Sequence, residues 1–304
     1  MKQKVLGLIV CAIACMSSSL VYGVPKKYYT LPPYTWGAKL PKHHPHTQLM
    51  KIIKKFHNTK KVGSLQACAY CFSDQTLAEA IANLPTNVTI EIIIDNFSIN
   101  TAANNIFSAY KTQKNYLKNE LQNNPDLILN KFKHLALPQL FAAQKAERPI
   151  TILLHKKEGW GIMHLKSGLA TYNNTDMCAW SGSYNWTIPA KNNNYEDLTV
   201  AKDQEDFPYI EECKTNFEKI KSNDKAASLI ELDTEIFNEL LVNALLEKIN
   251  ATLKHNKETQ TETGEEKEEP TRKKSRHNYN TRNTQKSPKP EEEISSYLKS
   301  FNRD

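Results

Sequence analysis

The stretch from Ser64 to Asp95 constrains the chain most. Ser64 to Phe72 is an apolar run of strand character, Ser73-Asp74 offers a helix cap, and Leu77, Ala80, Ile81 and Leu84 follow at helical spacing. Pro85 ends that element, and Val88 to Ile94 is a second β-rich run closing on Asp95. The order strand, capped helix, strand predicts a β-α-β unit and so an α/β fold. Ahead of it, Met50, Ile52, Ile53 and Phe56 fit a short helix that starts the folded core near Thr47.

Ile99 to Glu147 reads mostly as helix. Ile106, Tyr110, Leu117 and Leu121 share one face, Asn124-Pro125 breaks the run, and Leu127, Leu129, Phe132, Leu135 and Leu140 continue it. Two or three helices covering one face of the sheet are expected from it. Ile150 to Leu154 and Trp160 to Leu165 read as short strands, the second delivering His164 at its end. Leu169 to Tyr172 and Met177 to Trp180 read as a strand pair around the turn Asn173-Asn174-Thr175-Asp176. Leu198 to Ala201 is a further strand. Helices follow at Asp206 to Ser222 and at Leu229 to Leu253, the latter with Ile236, Leu240, Leu241, Leu245 and Ile249 on its apolar side.

The ends of the chain are of a different kind. Lys2 and Lys4 precede the apolar run Val5 to Met16, and Ser17-Ser18-Ser19 leads to Gly23, so residues 1–23 read as an export signal cleaved after Gly23. The run is short for a membrane span, though Leu20 to Tyr22 would lengthen it into an uncleaved anchor. Cleavage would remove Lys2 and Lys4 and lower the formal charge from +7 to +5, leaving a basic protein suited to polyanions such as nucleic acid or anionic lipid headgroups. Residues 24–49 hold Pro25, Pro32, Pro33, Pro41 and Pro45 and are expected as an extended arm. Within the arm His43, His44 and His46 lack a Cys or carboxylate at metal-ligand spacing and are read as a solvated loop without a role. From 254 to 304 an acidic stretch, Glu258 to Glu269, gives way to a basic one, Arg272 to Lys289. A disordered charged tail is expected there, save for a short helix at Ile294 to Phe301.

Cys68 and Cys71 lie three apart in an expected strand, which puts their Cα atoms roughly 10 Å apart on opposite faces, too far to pair with each other. They and Cys178 read as small buried core residues.

The chemistry gathers in some thirty residues. Met163-His164-Leu165-Lys166 is followed by Gly182-Ser183-Tyr184-Asn185-Trp186-Thr187 and then by Asn194-Tyr195-Glu196-Asp197. Side chains two apart on a strand share a face, so one phosphate can meet both His164 and Lys166. Ser183 and Asn185 repeat that spacing on a neighbouring element. Lysine ammonium with amide and hydroxyl donors neutralises the oxygens of a phosphodiester, a histidine attacks, and a carboxylate such as Glu196 would fix the imidazole tautomer. An isolated His-x-Lys is common on solvated strands. The ordered set of five in one domain points instead to phosphoryl-transfer chemistry.

That set resembles the phospholipase D superfamily, whose motif is H-x-K-x4-D, then G-S-x-N, then a glutamate shortly before an apolar strand. Leu65 to Ser73, Leu77 to Leu84 and Val88 to Asp95 resemble the family's first strand, first helix and second strand. The resemblance spans roughly Met50 to Asn216, with the helical insert at about 99–147 longer than usual. It implies a mixed β-sheet flanked by helices on both faces in a catalytic domain at 50–253, with His164, Lys166, Ser183, Asn185 and Glu196 as catalytic residues. Thr171 departs from the pattern, standing where the family has Asp, and Asp176 in the expected turn reads as no substitute. In the family that Asp mainly supports the site. With the full motif present once, the resemblance implies a homodimer whose two histidines flank one phosphate, working through phospho-histidine without metal or cofactor. The leading expectation is an exported endonuclease of low sequence specificity. The alternatives are a phospholipase D acting on membrane phospholipid such as cardiolipin, and a weakly active or inactive binding module.

Overall fold

The computed structural model describes residues 25–30, 39–58, 60–155, 163–202, 206–222 and 229–262. The expected export signal at 1–23, residues 160–162 of the expected second strand and the tail beyond 262 lie outside the described residues.

Eight strands among the described residues form one sheet. They are β1 (Lys26–Tyr29), β2 (Gly63–Ala69), β3 (Val88–Asp95), β4 (Ile150–His155), β5 (Lys166–Tyr172), β6 (Asp176–Ser181), β7 (Asp197–Lys202) and β8 (Leu229–Leu232). Their order across the sheet is β1-β7-β6-β5-β2-β3-β4-β8. β2, β3 and β4 run parallel to one another, and every other pair is antiparallel. The sheet is thus mixed, with the predicted β-α-β unit at its centre. The joining helix α2 (Gln75–Ala82) is capped by Asp74, whose side chain accepts from the Leu77 N–H at 3.2 Å, a bond of about 1 kcal/mol in typical helices.

Alternation along the strands sends residues to two faces. Leu65, Ala67 and Ala69 align with Ile90, Ile92 and Ile94, and these with Ile150, Ile152 and Leu154; all nine are buried. That face carries α2, α1 (Pro45–Lys55), which packs at Tyr172, and α6 (Ala136–Lys145), which packs on β4. The opposite face carries α8 (Phe207–Ser222), whose Ile210 and Cys213 meet Leu169, Ala179 and Ala201, while Phe217 meets Cys68, Ile93 and Met163. Helices therefore cover both faces. Cys68, Cys71, Cys178 and Cys213 are buried and form no disulfide among the described residues.

The chain divides into two compact units. The sheet with α1, α2, α6, α8 and the short α7 (Ile188–Asn192) makes the first, which reaches to Ser98 and resumes from His134 to Thr234. The second unit holds most of α3 (Asn96–Ala109), with α4 (Lys114–Asn123), α5 (Pro125–Lys131) and α9 (Thr234–Glu262). In it Tyr110 is buried between Tyr116 and Phe132, at 6.1 and 6.2 Å between ring centroids, and Asn124-Pro125 separates α4 from α5 as expected. The stretch 99–147 contains four helices where two or three were expected, because the turn at Lys111–Gln113 divides the first half as well.

Four expectations need correction. Met163–Leu165 is not a strand; β5 starts at Lys166, three residues earlier than expected, because its N-terminal end pairs with the end of β2. Leu229–Leu232 is not helix but an edge strand, since the open edge of β4 accepts it in antiparallel register before Asp233. The helix that follows buries Phe237, Leu241, Leu245 and Ile249 while leaving Ile236 36% exposed, and it continues past His255 to Glu262, into the stretch expected as a disordered tail. Finally, only His43 of the histidine cluster is exposed. His44 and His46 are buried at the start of α1, where Pro45 at the first turn leaves His44 as the cap.

Candidate active site

One edge of the sheet collects the motif. β2 and β3 end there at Ala69 and Asp95, β6 ends there at Ser181, and the antiparallel β5 and β7 begin there at Lys166 and Asp197. Carboxyl ends of parallel strands are the usual ligand-binding edge of open α/β sheets.

His164 is held from behind. Met163 is buried beside Cys68, Ile93 and Phe217, Leu165 packs on the same cluster, and the intervening His164 is left exposed on the opposite side. The Met163 N–H donates to Asp95 Oδ2 at 3.1 Å, and Asp95 Oδ1 accepts from the Phe97 N–H at 2.9 Å. His155 Nδ1 lies 3.9 Å from the same carboxylate. Asp95 thus ties the His164 segment to the start of α3. Its position at the end of β3 was the one sequence signal for it.

Lys166 is only 3% exposed. Its Nζ donates to the His164 carbonyl at 2.9 Å and sits 4.8 Å from the centroid of the Tyr70 ring, which itself lies 4.8 Å from the His164 ring. Burial pushes the ammonium below the usual lysine range, although the Glu196 and Cys71 charges act in the other direction. His164 and Lys166 therefore project to one side as the two-residue spacing predicts, even though His164 precedes the strand.

Ser183 and Asn185 lie in the loop after β6, not on a strand. Gly182 donates to the Lys166 carbonyl at 3.2 Å, and a Cβ on it would stand 2.4 Å from the Asp197 carbonyl oxygen, so only glycine lets the loop lie this close to β7. Ser183 and Asp197 bond reciprocally: the Ser183 N–H donates to Asp197 Oδ1 and Ser183 Oγ accepts from the Asp197 N–H, each at 2.9 Å. That use of Oγ as acceptor leaves the exposed hydroxyl proton to donate elsewhere. Asn185 Oδ1 is buried with no hydrogen-bond partner among the described residues, a cost of about 1–3 kcal/mol for a protein group.

Glu196 does not meet His164. Among the described residues no ion pair joins them; Oε1 instead accepts from Asn194 Nδ2 at 3.2 Å. The backbone explains it. The Glu196 N–H donates to Thr30 Oγ1 at 2.6 Å and the Thr30 N–H donates to the Glu196 carbonyl at 2.9 Å, fixing the turn against the arm. From that place the carboxylate acts on Lys166 through space.

Behind the loop lies a buried group the sequence did not reveal. His44 Nδ1 accepts from the His46 N–H and its Nε2 faces the Lys191 carbonyl, both at 3.0 Å. His46 Nδ1 lies 3.0 Å from Asp74 Oδ2. Burial and neighbouring His46 hold His44 down at about 4. Burial would raise Asp74, but its bond and charge pairing with His46 outweigh it and hold the carboxyl below the usual range. The Tyr184 ring meets His44 edge-on at 6.1 Å, and burial with the Asp74 and Glu196 charges raises its phenol well above 10.

Thr171 stands at the other end of β5, paired with Ser64 and Met177. Five residues of strand separate it from Lys166, about 17 Å. Asp176 is also at that far edge, ion-paired with Lys55, and does not reach the motif.

The family model described as cardiolipin synthase, PLD-like domain, matches residues 52–221. No curated protein matches the chain significantly. Among solved structures it is similar to a phospholipase D family member, Nuc, from Salmonella typhimurium, at 14% identity and a TM-score of 0.39 over 69% of this chain and 97% of that one. It is similar also to NucT from Helicobacter pylori, at 18% identity and 0.38 over 67% and 99%. A third is the phosphatidylserine synthase of Haemophilus influenzae Rd KW20, at 16% and 0.39 over 77% and 46%. Similarities of that degree add nothing to the argument, whereas the family match takes in more than half of the chain and every residue of the motif. The chain belongs to the phospholipase D superfamily, as a PLD-like domain enzyme of the phosphodiesterase kind.

Proposed function

We propose that this enzyme is an endonuclease of low sequence specificity, hydrolysing phosphodiesters without a metal through phospho-histidine in a site shared by two copies of the chain. The observation that carries the reading is the Lys166–His164 unit, a buried ammonium fixed by a hydrogen bond to the backbone of the exposed imidazole beside it. An anionic phosphate reaching that exposed imidazole meets the buried ammonium beside it.

The steps balance with groups of this chain and one water. The His164 ring attacks phosphorus, a P–N bond forms, and the bond to the leaving oxygen breaks as His164 of the partner subunit protonates that oxygen. That second imidazole then takes a proton from water, water attacks phosphorus, and the P–N bond breaks. Lys166, the Ser183 hydroxyl and the Asn185 amide donate to the non-bridging oxygens. The Glu196 charge acts on Lys166 from a distance and offsets part of the burial that lowers it. The basic charge, +7 for the full sequence and +5 without residues 1–23, favours a polyanionic substrate, and the segment 1–23 supports a periplasmic or secreted location, or one anchored at the membrane.

A second reading, hydrolysis of membrane phospholipid such as cardiolipin, is favoured by the description of the matching family. Release assays on single-stranded DNA, RNA, duplex DNA and cardiolipin vesicles, each with excess chelator, separate the two. We expect chelator-resistant cleavage of nucleic acid by wild type and a loss of at least about 1000-fold in kcat for His164→Ala, with binding retained. Turnover of vesicles alone would establish the lipid reading, and binding without any turnover that His164→Ala alters would leave only a binding module.

A further inference from the structure

Beside the phosphate-handling groups stands an aromatic step. Tyr70, just past β2, and Phe97, at the start of α3, lie face to face with ring centroids 5.1 Å apart and planes 13° from parallel. The His164 ring, tilted 59° to Tyr70, lies 4.8 Å from it, so the three rings are contiguous. Phe97 is nevertheless 47% exposed. A large apolar ring left this open next to a catalytic imidazole needs an explanation, because burial is the ordinary fate of phenylalanine. Its backbone is no freer than the rest of the site, since Asp95 holds the Phe97 N–H and the Met163 N–H with its two oxygens. The Phe97 backbone is thereby tied to the segment that bears His164. Tyr195, 78% exposed, stands one residue before Glu196 at the same edge of the sheet.

We infer that the Tyr70–Phe97 stack is a platform for an unpaired nucleobase, placing the base beside the phosphate that His164 attacks and restricting the enzyme to single-stranded nucleic acid. The inference rests on the endonuclease reading and deepens it. Phe97 stands two centroid steps, 5.1 and 4.8 Å, from the His164 ring, so the stacked base belongs to a nucleotide adjoining the attacked phosphate. Every base offers a π-face, so stacking holds any sequence, in keeping with low specificity. In a duplex both faces of a base are covered by its neighbours, and the platform has nothing to receive.

The test compares wild type, Phe97→Ala and Phe97→Trp on four substrates: a single-stranded DNA oligonucleotide, the same sequence as duplex, an oligonucleotide abasic at every position, and bis(p-nitrophenyl) phosphate. Phe97→Ala is expected to raise KM for the single strand by about tenfold with kcat unchanged, and to behave on the abasic strand as wild type does. Phe97→Trp restores the low KM. Wild type should prefer single strand to duplex by a similar factor or more. Equal KM for Phe97→Ala and wild type on the single strand, or equal wild-type cleavage of duplex, overturns the platform while leaving the endonuclease reading intact. Cleavage of the nitrophenyl diester and of cardiolipin vesicles, with no nucleic acid cut, overturns both and makes Phe97 a lipid-facing ring.

Discussion

Lys166 carries a charge in a place almost without water, and two effects contend for its proton. Burial favours the neutral amine and wins over the carboxylate of Glu196, so the group lies below an ordinary lysine. An arriving phosphate reverses that balance by supplying the missing counter-charge. The position of Thr171 is argued the same way, by distance. It replaces the motif's Asp about 17 Å along the strand from Lys166, between Ser64 and Met177, where a side chain reaches none of the reacting groups. Thr171→Asp is therefore expected to change kcat by less than about twofold, because Coulomb effects over that distance are screened, while altering thermal stability. A large rise in kcat would mean that the far edge is coupled to the site. The approach of Lys166 to His164 was legible because their spacing is local, two residues apart, whereas the expected bond from Glu196 to the imidazole is not formed. Asp95 was not legible as the anchor of Met163, since 68 positions separate them and only the fold brings them together.

At the scale of elements, the loop that bears Ser183 and Asn185 is packed against the beginnings of two helices. His44 caps α1 with Nδ1 as acceptor, which requires a neutral ring, and Asp74 caps α2. Both helices were legible from their apolar spacing, and α2 from its cap as well, as was the β-α-β unit. The role of His44 was hidden, because a histidine is an uncommon cap and its second contact is the Lys191 carbonyl, 147 residues away. The folded-state value of about 4 lies below the unfolded 6.5. Between those pH values the unfolded chain binds more protons than the folded one, so stability is fully present above 6.5 and falls as pH is lowered toward 4. Asp74, held below its ordinary value, adds stability that is lost only at still lower pH. Thermal melts of wild type should therefore show Tm falling between pH 6.5 and 4. His44→Asn, which retains a capping acceptor, should flatten that part of the curve; an unchanged slope would assign the titration to another group.

At the scale of the molecule, the full motif occurs once in the chain, and the proposed chemistry needs two imidazoles on opposite sides of one phosphorus. His164 is exposed at an open edge of the sheet, with no carboxylate ion-paired to it among the described residues. A two-fold axis through that edge would bring a second copy of the same surface to it, and self-complementary pairing of this kind is the commonest symmetry of soluble oligomers. The consequence is quantitative. When wild-type and His164→Ala chains are mixed, unfolded and refolded together, partners assort at random, and a hybrid dimer lacks either the attacking group or the acid. Activity should then follow the square of the wild-type fraction, so that an equal mixture retains about one quarter of the activity of undiluted wild type, whereas independent sites would retain about half. A linear dependence across the series, with both chains confirmed to be folded, would mean that each chain is complete by itself, and the second proton donor would then have to be sought within the same subunit.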